Sequence, residues 1–172
     1  MIENKIWKLG IDPGVSGAIA LVSTDPRDIL RVWDMPNYEE VLTTGKKRKS
    51  VEVENLIRIF KFIQTMGASD NATIEVRLEK VQAYGKQSAP AAFNFGYAAA
   101  LPYALSKAFS WPVEFISPVS WKRYYALQAT QKDAARLKVL KHFPHHSDLF
   151  KRKMDVDRAD AVLIAFYKER TL

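Results

Sequence analysis

A mixed β-sheet flanked by helices is the fold class that this sequence predicts, in the order βββ-α-β-α-β-α-α. Three patterns carry the prediction. Short apolar runs separated by turns lie before Asp34, a helical-period run covers 51–66, and an alternating segment, Thr73–Glu79, follows it. With 172 residues, 48% of them hydrophobic, the chain has the length and apolar content for one core, and a single domain over 1–172 is expected.

Residues Ile6–Ile11 form the first apolar run, stopped at Asp12 by the turn Pro13-Gly14-Val15-Ser16-Gly17. Ala18–Val22 and Ile29–Trp33 follow as strands, and runs so short and closely spaced predict an antiparallel meander. Gly45-Lys46-Lys47-Arg48-Lys49-Ser50 reads as a basic loop. Val53, Leu56, Ile57, Phe60 and Ile63 recur at helical spacing and predict an amphipathic helix over 51–66, broken at Gly67–Asn71. In Thr73–Glu79, Ile74, Val76 and Leu78 alternate with Glu75, Arg77 and Glu79, as a strand requires. Ala91–Phe109 reads as a long helix, expected to bend or break near Pro102. Val113–Ile116 is a short strand closed by Ser117-Pro118. Thr130-Gln131-Lys132-Asp133 has the form of a capping box and predicts a helix opening at Thr130, with Leu137, Leu140 and Phe143 on its inner face and Pro144 ending it. A last helix is expected from near Asp155 to about Arg170.

Composition narrows the function classes. The 26 Lys+Arg exceed the 19 Asp+Glu to give a net charge of +7, which favours an anionic partner such as nucleic acid, a phosphorylated ligand or a membrane surface. The absence of cysteine excludes disulfides, thiolate metal sites and a catalytic thiol. Met1–Gly10 lacks the apolar stretch of a secretory signal. The uncharged run Gln87–Ser106 has the length of a membrane span but contains Pro90, Asn94, Pro102 and much alanine, so a buried helix, no membrane partner and a cytoplasmic location are expected.

The acidic residues carry the chemistry. Asp12 sits where one strand stops and Glu79 at the far end of another, while Asp157 and Asp160 stand i, i+3 on one helix face. If the helix at 51–66 is a crossover, the strand at 73–79 lies parallel to the first, and Asp12 and Glu79 face each other across a strand spacing of about 4.8 Å. Each residue has an ordinary explanation alone: a turn aspartate, a solvated strand end, a helix N-terminal charge. Asp160 fits the ordinary explanation least, because it lies deeper in the helix against an apolar face. Clustered carboxylates need shared protons or cations, and oxygen ligands without Cys or His favour Mg²⁺ or Mn²⁺. Two such ions about 3.5–4 Å apart suit in-line phosphodiester hydrolysis.

Gly10-Ile11-Asp12-Pro13-Gly14-Val15-Ser16-Gly17 resembles the opening motif of the RuvC-like Holliday junction resolvases, within the RNase H-like nuclease superfamily. Leu78-Glu79-Lys80-Val81-Gln82-Ala83 resembles their second motif and Asp157-Arg158-Ala159-Asp160-Ala161 their last. Phe93-Asn94-Phe95-Gly96, Pro118-Val119-Ser120-Trp121-Lys122 and Lys151-Arg152-Lys153 resemble the phage-encoded branch, which would place the protein in host-cell cytoplasm. The resemblance implies an RNase H-like five-stranded sheet and a homodimer that binds four-way DNA junctions. It further implies paired symmetric nicks by Mg²⁺-dependent hydrolysis, leaving 5′-phosphate and 3′-hydroxyl ends. By position, Asp12, Glu79, Asp157 and Asp160 match the catalytic and metal-binding tetrad, with Asp12 expected to bridge two Mg²⁺ ions and Mn²⁺ able to substitute. Asp155 competes with Asp157 for the third motif, and the i, i+3 spacing favours Asp157. Lys132 resembles a lysine that stabilises the strained phosphate, and Lys122 one that grips DNA. The family often has an aromatic wedge three residues past the second-motif glutamate; here Gln82 stands there, with Tyr84 as a substitute and Lys86 close by as a further DNA contact.

Lys46, Lys47, Arg48 and Lys49 are candidate phosphate contacts, as are Lys132, Arg136, Lys138, Lys141 and Lys151-Arg152-Lys153, against the alternative of solvated surface. Trp121, Tyr124 and Tyr125 interleave with Lys122 and Arg123, a mixture able to stack bases, although Trp121 suits a core. Phe93, Phe95 and Tyr97 are expected to pack a helix or a dimer interface. His142, His145 and His146 read as a surface loop, since Asp148 alone offers an acidic ligand at suitable local spacing. A non-catalytic junction-binding protein and a nuclease for RNA–DNA hybrids are the rival readings. A sugar kinase or actin-like ATPase is disfavoured by length, and glycines 10, 14 and 17 match neither nucleotide-binding spacing, so no nucleotide cofactor is expected.

Overall fold

The computed structural model describes residues 5–82, 87–128 and 131–169. The N-terminal apolar runs are β1 (Lys5–Asp12), β2 (Ala18–Thr24) and β3 (Arg27–Asp34). A hairpin follows, β4 (Asn37–Val41) and β5 (Lys47–Val51), then α1 (Val53–Ser69), β6 (Ala72–Glu79), α2 (Ala89–Ala108) and β7 (Val113–Ile116). The C-terminal part holds α3 (Pro118–Tyr124), α4 (Ala134–His142), 3₁₀ turns at Pro144–Phe150 and Lys153–Asp155, and α5 (Val156–Ala165).

The main sheet has five strands in the order β3-β2-β1-β6-β7. The first three pair antiparallel, and β6 and β7 join parallel, so α1 is the crossover that its amphipathic pattern required. Alternation along the strands separates two cores. Leu9, Ile11, Ile74, Val76 and Leu78 pack with Leu56, Phe60 and Ile63 of α1 and Ala98 of α2. On the opposite face Ala18, Ala20 and Val22 pack with Trp121, Val139 and the buried run Ala161–Phe166.

Gly10 explains how closely α5 lies on this second face. A Cβ at Gly10 would stand 2.1 Å from the Ala161 carbonyl oxygen and 2.6 Å from the Ala165 amide nitrogen. Arg77, on the strand face expected to be polar, is buried under the same helix. Its guanidinium donates to the Ala165 carbonyl at 2.7 Å and to Glu169 at 2.7 Å, and it pairs with Glu114 at 3.3 Å. One of the orphan carbonyls at the helix end is thereby satisfied.

Several expectations are corrected. The basic stretch at 45–50 is largely strand: β5 pairs with β4, setting Arg48 opposite Glu40 and Lys49 opposite Glu39. Period-2 signals were weak there because most side chains of both strands face solvent. Helix α2 runs unbroken through Pro102, which is buried, and Ser106 Oγ donates to the Pro102 carbonyl at 2.7 Å. Helix α4 begins at Ala134; Thr130, and with it the expected capping box, lies outside the described residues, while Asp133 binds Arg136 at 2.7 Å. Its buried face is Ala135 and Val139, and Leu137 is exposed. The last helix ends at Ala165. Among the described residues no helix is long and apolar enough to cross a membrane.

Candidate active site

The β1–β6 register sets Ile11 opposite Leu78, so Asp12 and Glu79 come next, side by side at the carboxyl ends of parallel strands. Both follow the alternation of Gly10 and Arg77 and so lie on the α5 side of the sheet. The turn after Asp12 is tight: Gly17 N–H donates to the Gly14 carbonyl at 2.8 Å, and a Cβ on Gly17 would lie 2.1 Å from the Asp12 carbonyl oxygen. The Gly14 amide approaches Asp12 Oδ1 at 3.4 Å.

Helix α5 brings Asp157 and Asp160 to the same place, and their charges report it. Burial, then the charges of Glu79 and Asp157, push the Asp12 carboxyl up to about 7. Asp160 is likewise raised to about 7, by burial first and then by Asp12, with Glu79 and Asp157 adding to it and Lys122 opposing. Glu79 is raised by burial, against a hydrogen bond from Trp121 and the charge of Lys122. Asp157 is raised by burial and then by Asp34. The four carboxylates therefore lie close enough to feel one another's charge, although no three of them bring oxygens within 4.8 Å of one another.

Trp121 is the residue whose part in the site its sequence context hid. It is buried, as a core tryptophan should be, yet its indole Nε1–H donates to Glu79 Oε1 at 2.8 Å. Helix α3 begins directly beyond the carboxyl end of β7, and this places the indole there; the adjoining Lys122-Arg123 pair in the sequence was the available signal. Lys122 lies over the Trp121 ring at 5.1 Å and is the cation that opposes the rise of Asp12, Glu79 and Asp160.

The neighbouring acid Asp155 has a different task. Buried at the 3₁₀ turn, it accepts from the Arg152 amide at 2.8 Å and from the Arg152 guanidinium at 2.7 Å, and it stands 3.8 Å from Arg158. Arg158 in turn grips Asp34 through two bonds of 2.6 and 2.7 Å. These pairs pin the start of α5 and leave Asp157 facing the pocket charges.

The basic residues divide. Lys122, Arg123 and Lys132 are exposed, Lys132 in the turn before α4. Lys46 and Lys49 are exposed, whereas Lys47 pairs with Glu39 at 2.8 Å and Arg48 binds Glu40 and, at 3.1 Å, Asn94 of α2. Arg136, Lys151 and Arg152 are held by Asp133, Asp148 and Asp155. Gln82 is exposed; Tyr84 and Lys86 lie outside the described residues. Phe93 and Tyr97 project from α2 into solvent.

The donor set is four carboxylates, without cysteine or histidine, in a pocket where their mutual repulsion favours a divalent cation; this chemistry suits Mg²⁺ or Mn²⁺.

The architecture as a whole recurs in solved structures. The fold is RuvC-like. Thermus thermophilus RuvC in complex with a Holliday junction substrate matches at a TM-score of 0.56 and 17% identity, over 92% of this chain and 91% of that one. A second Thermus thermophilus RuvC structure matches at 0.53 and 16% identity, over 92% of both chains. No family model and no curated protein matches the chain. At such identity the likeness establishes the architecture, an RNase H-like mixed sheet.

Proposed function

We propose that the chain is a divalent-metal-dependent endonuclease that resolves four-way DNA junctions as a homodimer, by paired symmetric nicks. The observation that carries this reading is the pocket at the carboxyl ends of β1 and β6, where Asp12 and Asp160 are both raised to about 7 beside Glu79 and Asp157. Such crowding costs stability in the free protein and suits a site that binds cations. The RuvC-like fold adds the junction: one of the similar proteins was solved with a Holliday junction substrate. The segments Phe93–Gly96, Pro118–Lys122 and Lys151–Lys153 favour a phage-encoded enzyme.

Asp12, Glu79, Asp157 and Asp160 would hold the Mg²⁺ ions, two in our reading. When bound, the metal supplies charge for the phosphate oxygens and lowers the pKa of a ligated water. The protein's own groups do the rest. Trp121 fixes one oxygen of Glu79 and leaves the other for the pocket. Lys122 places a positive charge beside the acids, where a scissile phosphate would meet it. Exposed Lys46, Lys49, Arg123 and Lys132 would hold the flanking backbone, with Lys47 and Arg48 sharing their charge with Glu39 and Glu40. Hydrolysis breaks the P–O3′ bond, so the products carry 5′-phosphate and 3′-hydroxyl ends.

A synthetic mobile four-way junction tests the reading. Paired symmetric nicks in Mg²⁺, lost in Asp12→Asn while junction binding survives, support it. Junction binding without cleavage in either Mg²⁺ or Mn²⁺ would show a non-catalytic binder instead, and preferential cutting of RNA–DNA hybrids would move the substrate.

A further inference from the structure

We propose that Asp28, His145 and His146 form a second metal site, separate from the carboxylate pocket, that takes a zinc-class dication and clamps the Pro144–Phe150 turn to the start of β3. Asp28 lies on β3, far from the histidines in sequence, and all three ligand atoms fall within 4.8 Å of one another. His145 Nε2 is 3.0 Å and His146 Nε2 2.6 Å from the same oxygen, Asp28 Oδ1. A tetrahedral zinc shell with bonds of about 2.0–2.1 Å sets its ligand atoms roughly 3.3 Å apart. An outward movement of about 0.3 Å at His145 and about 0.7 Å at His146 therefore admits the ion.

The local chemistry favours a cation over a cluster held by protons. Asp28 Oδ1 already accepts from the Ile29 amide at 2.9 Å. Two more donors on that oxygen would require both imidazoles to carry a proton on Nε2, with ring centroids 4.3 Å apart. A metal satisfies the same convergence with both Nε2 lone pairs and one carboxylate oxygen. Two imidazoles and a carboxylate select Zn²⁺, or Co²⁺ as its spectroscopic substitute, over Mg²⁺. The side chains of Asp28, His145 and His146 are 40, 60 and 23% exposed, so solvent can deliver the ion and complete its shell.

The ligands stand on anchored backbone. Phe143, just before the turn, is buried and stacks on Phe166 with centroids 5.3 Å apart. The His146 amide donates to the Phe143 carbonyl at 3.0 Å. The clamped segment leads through the second 3₁₀ turn into α5, so the ion would brace the approach to Asp157 and Asp160.

The test is titration of the full chain with ZnCl₂ and CoCl₂ in millimolar Mg²⁺, following the thermal midpoint and the visible absorption of Co²⁺. One Zn²⁺ per chain is expected. At hundredfold excess over Kd it should raise the midpoint by about 5–10 °C. Bound Co²⁺ should give the intense band of a four- or five-coordinate site. Both signals should persist in Asp12→Asn and vanish in Asp28→Asn and in the His145→Gln/His146→Gln double variant. A wild-type midpoint unmoved by Zn²⁺, a Co²⁺ spectrum that stays weak and octahedral, or undiminished binding by the double variant each overturns the proposal. Because the site is read without DNA and in Asp12→Asn as well, these outcomes are independent of whether the protein cleaves junctions.

Discussion

Replacing Asp12 by asparagine should make the metal-free protein more stable at alkaline pH, although it removes a charge from the centre of the site. The folded state raises this carboxyl from 3.8 to about 7, and each unit is worth 1.36 kcal/mol, so the ionised group costs the fold about 4 kcal/mol at most. Partial exposure and counterions reduce this to about 2–4 kcal/mol in practice. Asparagine keeps the shape and removes the repulsion. Between about pH 4 and pH 7 the folded state binds more protons than the unfolded chain, so wild-type stability falls as pH rises through that window. The gap between variant and wild type should be widest at pH 8 and should close near pH 4, where the aspartic acid is protonated in both states.

Thermal unfolding in EDTA reads this directly. A protein of this size gains about 2–4 °C per kcal/mol, which sets the expected rise of Asp12→Asn at roughly 4–16 °C at pH 8. Millimolar Mg²⁺ should lift the wild type towards the variant and leave the variant nearly unmoved. A variant equal to or less stable than wild type at pH 8 would refute the crowding argument. So would a gap that stays constant down to pH 4.

Gly10→Ala should cost about 3 kcal/mol in urea unfolding and reduce nicking, since the new methyl meets backbone of α5 at 2.1 Å. Trp121→Phe keeps most of the ring but loses the 2.8 Å bond to Glu79; a loss of about 1–2 kcal/mol and a several-fold rise in half-saturating Mg²⁺ are expected. Lys122→Gln removes a charge that lowers Asp12 and Asp160, so both should rise and the acid limb of the pH–rate profile should move to higher pH. Arg77→Met leaves the Ala165 carbonyl and Glu169 without their buried partner, a loss of about 2–4 kcal/mol seen in the urea midpoint.

The parts of the fold visible in the sequence were those where one face is buried and the other is not. Leu56, Phe60 and Ile63 announce α1, and Ile74, Val76 and Leu78 announce β6, because burial imposed the period on residue type. The crossover follows from their order, and with it the neighbouring ends of β1 and β6. The β4–β5 hairpin was hidden because it faces solvent and is stabilised by ion pairs such as Lys47–Glu39, which leave a charge pattern indistinguishable from a loop. Pro102 was misleading as a helix breaker: its missing amide leaves only the Ala98 carbonyl without an intrahelical donor, and α2 runs on through it with Pro102 buried. Local spacing also concealed Asp28 from His145 and His146: the acid that meets them comes from β3, while Asp148 pairs with Lys151. Trp121 met the expectation of a core residue and still carried a polar task at one atom, which no period reveals.

The fold also explains why the repulsion among the acids appears as raised pKa values and is not dissipated by movement. Helix α5 cannot back away from β1, because Ala161 and Ala165 already rest on the hydrogen of Gly10 and the run Ala161–Phe166 is fully buried. Its C-terminal end is tied to β6 by Arg77 through the Ala165 carbonyl, and its start is tied to β3 by Arg158 through Asp34. Asp12 is fixed from the other side by the Gly14–Gly17 turn, and Glu79 by the indole of Trp121. With every backbone support held, the charges have two remaining ways to lower their energy: take up protons or take up a cation. If the site takes a divalent ion, as proposed, it is prepared before the ion arrives, and the tight β1–α5 packing at Gly10 is the feature that keeps it so.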